Sequence, residues 1–227
     1  MHSIRFPNET PEYRAARDAL LKAEIELRRH VEEVAVLRRG LPLGGELKED
    51  YLFEEAGAAG QVWRVRLSEL FEPGKDSLLL YSFMFGPNMK EACQMCSSFL
   101  DGLNGSAKHV TQCVNLAVVA SSPVDRIRSF ARERGWSGLR LLSSHGNSYN
   151  RDYHGEDDSG GQLPVMNVFA RRNGKIFHFY NTELLFVAPE PGQQPRHIDL
   201  MWPLWNLLDL TPEGRATTWM PKLSYGG

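Results

Sequence analysis

Residues Ser77 to Leu100 read SLLLYSFMFGPNMKEACQMCSSFL, and this stretch decides the fold. It starts with a continuous run of apolar and aromatic residues, which predicts a strand buried on both faces of a sheet. The loop GPNMK follows, and then Cys93 and Cys96 open a helix. We expect that helix to end near the chain breakers of DGLNGS. The stretch therefore predicts a strand, a loop and a helix that carries two cysteines at its start.

The segments that follow continue the alternation of strands and helices. HVTQCVNLAVVAS, from His109, predicts a second buried strand, and LRLLSS predicts a third. Between them SPVDRIRSFARERGW predicts an amphipathic helix with Ser122 as N-cap and Pro123 at the first helical position. The last part of the sheet is a hairpin, because Asn173-Gly174 favours a tight reversal. This order predicts an α/β protein whose sheet is built with right-handed crossovers.

Two terminal segments flank this alternation. Thr10-Pro11-Glu12 is typical of a helix start, and Arg38-Arg39-Gly40 is typical of a helix end. We expect this long amphipathic helix to pack against the rest of the protein or a second copy. After a linker, DYLFEE predicts a short strand and VRLSELF a turn of helix. The aromatic C-terminal segment HIDLMWPLWNLLDLTPEGR is expected to cover one edge of the sheet.

Composition and charge exclude several classes of protein. The chain has 227 residues, of which 42% are hydrophobic and 24% are charged, so it is neither disordered nor collagen-like. A net charge of −2 with scattered Lys and Arg argues against a nucleic-acid surface. The N-terminus has no apolar signal region, and no stretch approaches the roughly 20 apolar residues that span a bilayer. We therefore expect a cytoplasmic protein without a membrane partner, in which thiols stay reduced.

The cysteine pair has three interpretations, and the first is zinc. Cys93, Cys96, His109 and Cys113 have a spacing similar to that of a zinc finger. However, the composition around His109 and Cys113 predicts a strand, and residues four apart on a strand lie roughly 13 Å apart. That distance is too large for two ligands of one ion, so we expect no metal at these residues. The second interpretation is that both cysteines are small core residues.

The third interpretation is a redox pair. At a helix N-terminus, free backbone N–H groups and the helix dipole favour a thiolate over a thiol. Cys93 would then be the attacking thiolate, and Cys96 would be the resolving thiol one turn further on. Lys90 supplies a supporting positive charge nearby, whereas Glu91 opposes it.

Two other features were weighed as sites. The loop from His145 to Asp158 mixes histidines with carboxylates that suit a metal, but its Gly, Ser and Asn content favours a solvated loop. Cys113 is expected to be a buried strand residue. The sequence contains no Gly-rich phosphate loop, G-x-S-x-G elbow or H-E-x-x-H motif, so we expect no cofactor.

Several of these motifs resemble a known bacterial family. The stretches LLLYSFMFGPNMKEACQMCSSFLDGLNG, SSPVDRIRSFARERGW, HGNSYNRDY and WPLWNLLDLTPEGR are similar to those of domain of unknown function 899, often labelled a predicted dithiol-disulfide oxidoreductase. The resemblance covers most of the chain. It implies a thioredoxin-like three-layer fold, with a central mixed β-sheet, helices on both faces and the cysteine motif at the sheet's edge. Residues 48–227 would form this thioredoxin-like domain, and residues 1–47 an N-terminal helical extension.

The resemblance also implies which residues lie around the pair. Thioredoxin-like proteins have a cis-proline that faces the cysteines just before the third core strand, and Pro164 matches it. The preceding residue, Leu163, would offer backbone groups to a substrate. Thioredoxins carry Trp before the first cysteine and Gly-Pro between the two, whereas this chain has Ala92 and Gln94-Met95. Lys90 stands where peroxiredoxins have a threonine, which argues against peroxide reduction.

Two functional hypotheses follow from the sequence. The first is a thiol–disulfide oxidoreductase that uses Cys93 and Cys96 on an unidentified disulfide or dithiol protein, or on a small thiol. The second is a non-catalytic thioredoxin-like binding, scaffold or redox-sensing protein. In the second case the N-terminal helix and the Trp-rich C-terminal segment would build a homodimer.

Overall fold

The structure is a computed structural model, and it describes residues 4–57, 60–215 and 218–225. The chain forms two compact units, Met1–Pro42 and Leu43–Gly227. Residues 43–47, which the sequence assigned to the N-terminal extension, belong to the second unit. There Gly44 N–H donates to the His178 carbonyl, and Leu47 N–H donates to the Ile176 carbonyl. No helix within these described ranges has both the length and the apolar character that crossing a bilayer requires.

The first unit consists mainly of helix α1, Pro11–Arg39. Its start is as predicted, because the Thr10 hydroxyl accepts a hydrogen bond from Tyr13 N–H at 3.2 Å and Pro11 occupies the first turn. It ends at Gly40, also as predicted, after a last turn that contains Arg38 and Arg39. None of the residues of α1 is buried. Its caps and its side-chain ion pairs, such as Arg14–Asp18 at 3.4 Å, stabilise the helix.

The second unit is built on a mixed sheet of seven strands, in the order β2-β1-β5-β4-β3-β6-β7. Strand β3 is parallel to β4, and β4 is parallel to β5. All the other neighbours are antiparallel. The strand bounds are β1 Leu52–Ala56, β2 Val62–Arg66, β3 Ser77–Ser82, β4 Asn115–Ala120, β5 Leu141–Ser143, β6 Met166–Arg172 and β7 Lys175–Asn181.

Parallel neighbours need a crossover, and two helices supply it. Helix α2, Gln94–Val110, connects β3 to β4, and helix α3, Val124–Arg134, connects β4 to β5. The other helices are α4, Tyr149–Asp152, and α5, Pro203–Leu208, together with 3-10 turns at Leu67–Leu70, Glu183–Phe186 and Asp199–Met201. A parallel β3–α2–β4 unit followed by the antiparallel strands β6 and β7 is the thioredoxin-like arrangement.

The two faces of the sheet carry two separate cores, because successive side chains of a strand point to opposite faces. Along β4, Leu116, Val118 and Ala120 join one core, whereas Ala117 and Val119 join the other. The first core also includes side chains of α2, α3 and α5, and we call it the α2 face. The second core includes the turn Leu67–Leu70 and the aromatic residues around α4, and we call it the α4 face.

The hairpin is as predicted. Asn173 and Gly174 both have positive φ, 52° and 78°, which a two-residue turn of the favoured type requires. The amphipathic helix predicted at α3 is also confirmed, since Val124, Ile127 and Ala131 are buried on one side of it.

Four predictions about secondary structure are wrong. Helix α2 does not stop at DGLNGS but continues to Val110, so His109 lies on a helix and β4 begins only at Asn115. Cys113 is consequently exposed in the connecting turn rather than buried in a strand. Ser122 does not cap α3, because its hydroxyl donates to the Gly86 carbonyl instead.

The fourth concerns the aromatic C-terminal segment; in addition, one strand near the start of the domain was missed. The residues before the turn Leu67–Leu70 form strand β2, which the sequence did not predict. The aromatic C-terminal segment packs on α2 rather than along an edge strand, with the rings of Trp202 and Phe99 at 6.2 Å between centroids. Trp202 and Trp205 are buried there in the core of the α2 face, and the burial of these large rings favours this position over a sheet edge.

Candidate redox site at the start of helix α2

The cysteine pair is positioned by the loop that leaves β3. Cys93 N–H donates to the Met84 carbonyl at 3.0 Å, so the start of α2 is tied back to the end of that strand. Ser122, at the end of β4, fixes the middle of the loop. Its N–H donates to the Phe85 carbonyl at 2.9 Å, and its hydroxyl donates to the Gly86 carbonyl at 3.0 Å. The pair therefore sits where the carboxyl ends of the two parallel strands meet.

Arg126 of α3 holds the rest of the loop. Its guanidinium donates to the Met89 carbonyl at 2.6 Å and to the Pro87 carbonyl at 2.9 Å. It also stacks over the Phe85 ring, 4.6 Å from the centroid. The planar guanidinium presents its N–H donors in a fixed arrangement, so one side chain serves several loop carbonyls at once. Sequence reasoning missed this residue, since nothing local relates position 126 to the loop.

Cys93 is the N-cap of α2 and is partly exposed. Its sulfur accepts a hydrogen bond from Cys96 N–H at 3.5 Å. The thiol of Cys96 also donates to this sulfur and lowers the pKa of Cys93 to about 6, helped by the backbone N–H groups of Cys96 and Met95 and opposed by burial. The predicted position at a helix start is confirmed, but the strongest influence on Cys93 is its own partner cysteine.

Cys96 has the opposite character. It is 2% exposed, and this burial raises the pKa of its thiol well above the ordinary value, as does the neighbouring charge on Cys93. Met84 N–H and the Tyr81 hydroxyl oppose the rise. At neutral pH the pair therefore consists of one thiolate, Cys93, and one thiol, Cys96.

Tyr81 lies under the buried cysteine, on the α2 face. Its side chain is fully buried, and burial raises the pKa of its hydroxyl well above the usual range, so it stays protonated. The hydroxyl lowers the pKa of Cys96, although it lies outside hydrogen-bond geometry with the Cys96 sulfur. It has no other hydrogen-bond partner in the described residues. In the sequence Tyr81 was only part of an apolar run. The strand alternation that puts it on the α2 face was the available signal.

The other predicted site residues are placed as follows. Lys90 is exposed and makes no contact with the cysteines, and it is not among the groups that lower the pKa of Cys93. Leu163 and Pro164 lead into β6 beside the loop, since a Cβ on Gly86 would meet Gln162 Cγ at 3.2 Å. This contact places Gln162 beside the cysteine loop, and the approach of Pro164 to the cysteines stays a prediction.

The bond between Leu163 and Pro164 is trans, as is every peptide bond in the described residues, so the expected cis-proline is wrong. Val165 N–H donates to the Leu163 carbonyl at 3.2 Å, which closes a three-residue turn centred on Pro164. The fixed φ of proline suits that central position without a cis bond. Leu163 N–H donates to the Gly155 carbonyl, so it is not free for a substrate.

The strand at His109 and Cys113, from which the sequence argued against a zinc site, is not present. These residues are nevertheless too far from Cys93 and Cys96 to share one zinc ion with them. His109 lies on α2, thirteen residues after Cys96, which corresponds to about 20 Å along the helix axis. Two ligands of one zinc ion cannot be that far apart. Cys113 lies beyond the same far end of α2. No group of three or more His, Cys, Asp or Glu residues suited to a metal occurs in the described ranges, which include the loop from His145 to Asp158.

Comparison with known families decides the membership of the chain. Residues 4–225 match the family model described as "Bacterial protein of unknown function (DUF899)". The chain belongs to this family. No curated protein is significantly similar to it in sequence.

Among solved structures, the DUF899 chain is similar to proteins of thioredoxin-like fold at low identity. Thioredoxin peroxidase I of Plasmodium yoelii has 14% identity and a TM-score of 0.47, over 80% of this chain and 100% of its own. The reduced 2-Cys peroxiredoxin of Plasmodium vivax has 15% identity and a TM-score of 0.47, over 74% and 96%. An exposed lipoprotein thioredoxin of Streptococcus pneumoniae has 18% identity and a TM-score of 0.38, over 67% and 98%. Similarity at this level carries no information on activity.

We expect Arg126→Ala to loosen the loop that carries the cysteines. The substitution removes charge-assisted hydrogen bonds to loop carbonyls, so amide exchange between residues 86 and 92 should rise by about tenfold or more. Hydrogen–deuterium exchange measured by mass spectrometry checks this. Arg132→Ala, an exposed arginine of the same helix, is the control and should leave the loop unchanged. Equal exchange in the two variants would contradict the role of Arg126.

Proposed function

We propose that this protein is a thiol–disulfide oxidoreductase, with Cys93 as the attacking thiolate and Cys96 as the resolving thiol. The observation that carries the proposal is the opposite effect of the site on its two cysteines. The pKa of Cys93 is lowered to about 6, whereas burial raises that of Cys96. An attacking sulfur needs thiolate character and access, and a resolving sulfur needs to stay protonated until it is used.

The first step is attack on a substrate disulfide. The Cys93 thiolate forms a bond to one sulfur of the disulfide, and the other sulfur leaves as a thiolate. The partial exposure of Cys93 supports this role, because a substrate sulfur can approach it in line. The product is a mixed disulfide between Cys93 and the substrate.

The second step releases the substrate. Cys96 loses its proton and attacks Cys93, so a Cys93–Cys96 disulfide forms and the substrate leaves as a thiolate. Two electrons pass from the cysteine pair to the substrate. Once Cys93 is in a mixed disulfide its negative charge is gone, and this removes one of the effects that hold the pKa of Cys96 high. Met84 N–H and the Tyr81 hydroxyl are then the groups that stabilise the Cys96 thiolate.

The partner and the setting are part of the same proposal. We propose an oxidised protein or small-molecule disulfide as the substrate and a cytoplasmic setting, where the dithiol form is maintained. Pro164 remains the proposed substrate-positioning residue, since its segment lies against the cysteine loop at Gly86. Lys90 has no contact that supports the role predicted for it.

We expect Cys93 to alkylate with an apparent pKa near 6. Its thiolate fraction falls as the pH falls through that value, and the rate of reaction with iodoacetamide should fall with it. At pH 6 about half of Cys93 is thiolate, against about 0.3% of a free thiol with pKa near 8.5. Since nucleophilicity decreases with pKa, the net advantage is about tenfold at pH 6 and only about twofold at pH 7. The comparison should therefore be made at pH 6.

The matched control is the third cysteine of the chain. Cys93→Ser should abolish the fast phase, whereas Cys113→Ser, a change of an exposed cysteine in the turn after α2, should leave it intact. A half-maximal rate above about pH 8 would refute the activated thiolate, and with it the proposed first step.

We expect Tyr81→Phe to slow the second step and not the first. With 5,5′-dithiobis(2-nitrobenzoate) as the disulfide, attack by Cys93 releases one coloured thiolate and resolution by Cys96 releases a second. Loss of the hydroxyl should slow only the second release, by about fivefold, because a charged sulfur loses one polar neighbour. The same change should stabilise the fold by about 1 kcal/mol, since the hydroxyl is buried without a partner. Tyr13→Phe, on α1, is the control; slowing of both releases together would contradict this role.

A second candidate function, a dimeric binding or redox-sensing protein, is favoured by one observation. Helix α1 has no buried residue, and its Tyr13, Leu20, Leu27 and Val34 recur every seven residues. Leu20 and Leu27 are 49% and 63% exposed. This spacing is typical of helices that pair with another helix. We propose that α1 pairs with α1 of a second copy.

We expect the full chain to be a dimer in solution that the double change Leu20→Glu, Leu27→Glu converts to a monomer. Charges in an apolar seam lose their hydration without a partner, so pairing should fail. Sedimentation equilibrium gives the mass, and Lys22→Glu on the same helix is the control. A monomeric wild-type chain would exclude this dimer without affecting the thiol chemistry.

A further inference from the structure

A cavity of about 670 Å³ lies on the α4 face, between β7 and the segments around residues 152–154 and 183–187. Its volume is within the range of about 300–1,000 Å³ that is usual for small-molecule sites. The cavity is separate from the redox site. Tyr153 packs against the core of the α4 face, whereas Cys93 and Cys96 belong to the core on the opposite side of the sheet.

A chain of buried amides forms the floor of this cavity. Asn167 is fully buried, and its Oδ1 accepts from His178 Nε2 at 3.0 Å and from Asn181 Nδ2 at 2.8 Å. Its own Nδ2 donates to the Tyr153 carbonyl at 3.0 Å. These bonds leave Asn181 Oδ1 without a partner, although Asn181 is only 6% exposed. A buried acceptor without a donor is costly, and its partial negative charge favours a cation at the cavity above it.

His178 offers a second acceptor. Because Asn167 Oδ1 can only accept, His178 Nε2 carries the proton and Nδ1 carries the lone pair. Burial lowers the pKa of His178, so the ring is neutral at pH 7. Its ring also packs against that of Tyr153, at 5.5 Å between centroids.

Three carboxylates line the cavity, and one of them has no ion pair. Glu183 has no ion-pair partner in the described residues. Asp152 and Glu46 are already paired, with Lys48 at 2.6 Å and Lys175 at 2.8 Å. Neither of these lysines lines the cavity, and no arginine does. The cavity therefore holds one unpaired carboxylate, Glu183, and an unpaired acceptor on His178, between walls that include Tyr153 and Phe186. Its donors are neutral groups, the Tyr153 hydroxyl and the His154 ring.

We propose that this cavity binds a small organic amine with an aromatic or apolar body. The ammonium group donates to Glu183 and to His178 Nδ1, and the unpaired oxygen of Asn181 adds negative potential beneath it. The apolar body lies between Tyr153 and Phe186, where a cation also gains from the faces of the rings. A metal ion does not fit, since the described residues contain no group of three or more ligands suited to one.

The test compares three ligands of one shape and different charge. Benzylamine, benzyl alcohol and benzoate are titrated against the full chain at pH 7, and binding is followed by saturation-transfer NMR. We expect saturable binding of benzylamine, weaker binding of benzyl alcohol and no binding of benzoate. Glu183→Gln should weaken benzylamine by about tenfold, because a charge-assisted hydrogen bond is lost. Glu190→Gln is the matched control, since Glu190 is an exposed acid of the same segment outside the cavity.

Further variants keep the test independent of folding and of the redox proposal. Asn181→Leu removes the unpaired acceptor but also breaks a buried bond, so Phe186→Ala, at a side chain that is 51% exposed, serves as the fold-safe second variant. Both should weaken benzylamine binding. Binding of benzoate as strong as that of benzylamine, no saturable binding of benzylamine up to millimolar concentration, or equal binding by Glu183→Gln and Glu190→Gln would each overturn the proposal. Alkylation of Cys93 should be the same in all four variants.

Discussion

One backbone hydrogen bond, from Cys93 N–H to the Met84 carbonyl, determines the site. The loop that leaves β3 must turn back for α2 to cover the sheet, and this bond closes the turn. Because of this bond, Cys93 is the N-cap of α2, and the Cys93 sulfur faces the free N–H groups of the first helical turn. It also puts Cys96 one turn further on, where the helix meets Tyr81 of β3. The difference between an exposed thiolate and a buried thiol thus follows from where the helix starts.

The sequence predicted this part of the fold because the signals there are local. An apolar run, a loop with Gly and Pro, and a cysteine pair before a helical pattern each report on a few neighbouring residues. The end of α2 was predicted wrongly for the opposite reason. Gly102 and Gly105 each cost about 1 kcal/mol in a helix, but Phe99, Leu100 and Ala107 are buried on its inner side and outweigh them. Tertiary packing of this kind is not visible in a local pattern.

The groups that act on the pair were harder to predict than the pair itself. Arg126 and Ser122 reach the loop from the other side of a parallel crossover, and Tyr81 reaches Cys96 across the interface of strand and helix. None of these relations has a fixed sequence spacing. Pro164 illustrates the limit of a family resemblance, because its segment leads into β6 beside the loop at Gly86 but its peptide bond is trans. Its position follows from the strand order, whereas its isomer depends on local turn geometry.

The activation of Cys93 does not depend on a charged side chain. Lys90, the one cation that the sequence offered, is exposed and is not among the groups that shift the pKa of Cys93. The groups that lower this pKa are the Cys96 thiol and two backbone N–H groups, all of which are fixed by the first turn of α2. Interactions of this range are screened far less by salt than those between exposed charges. The site therefore relies on the geometry of the first turn of α2, and the hydrogen bonds of Arg126 and Ser122 to the preceding loop help to hold that geometry.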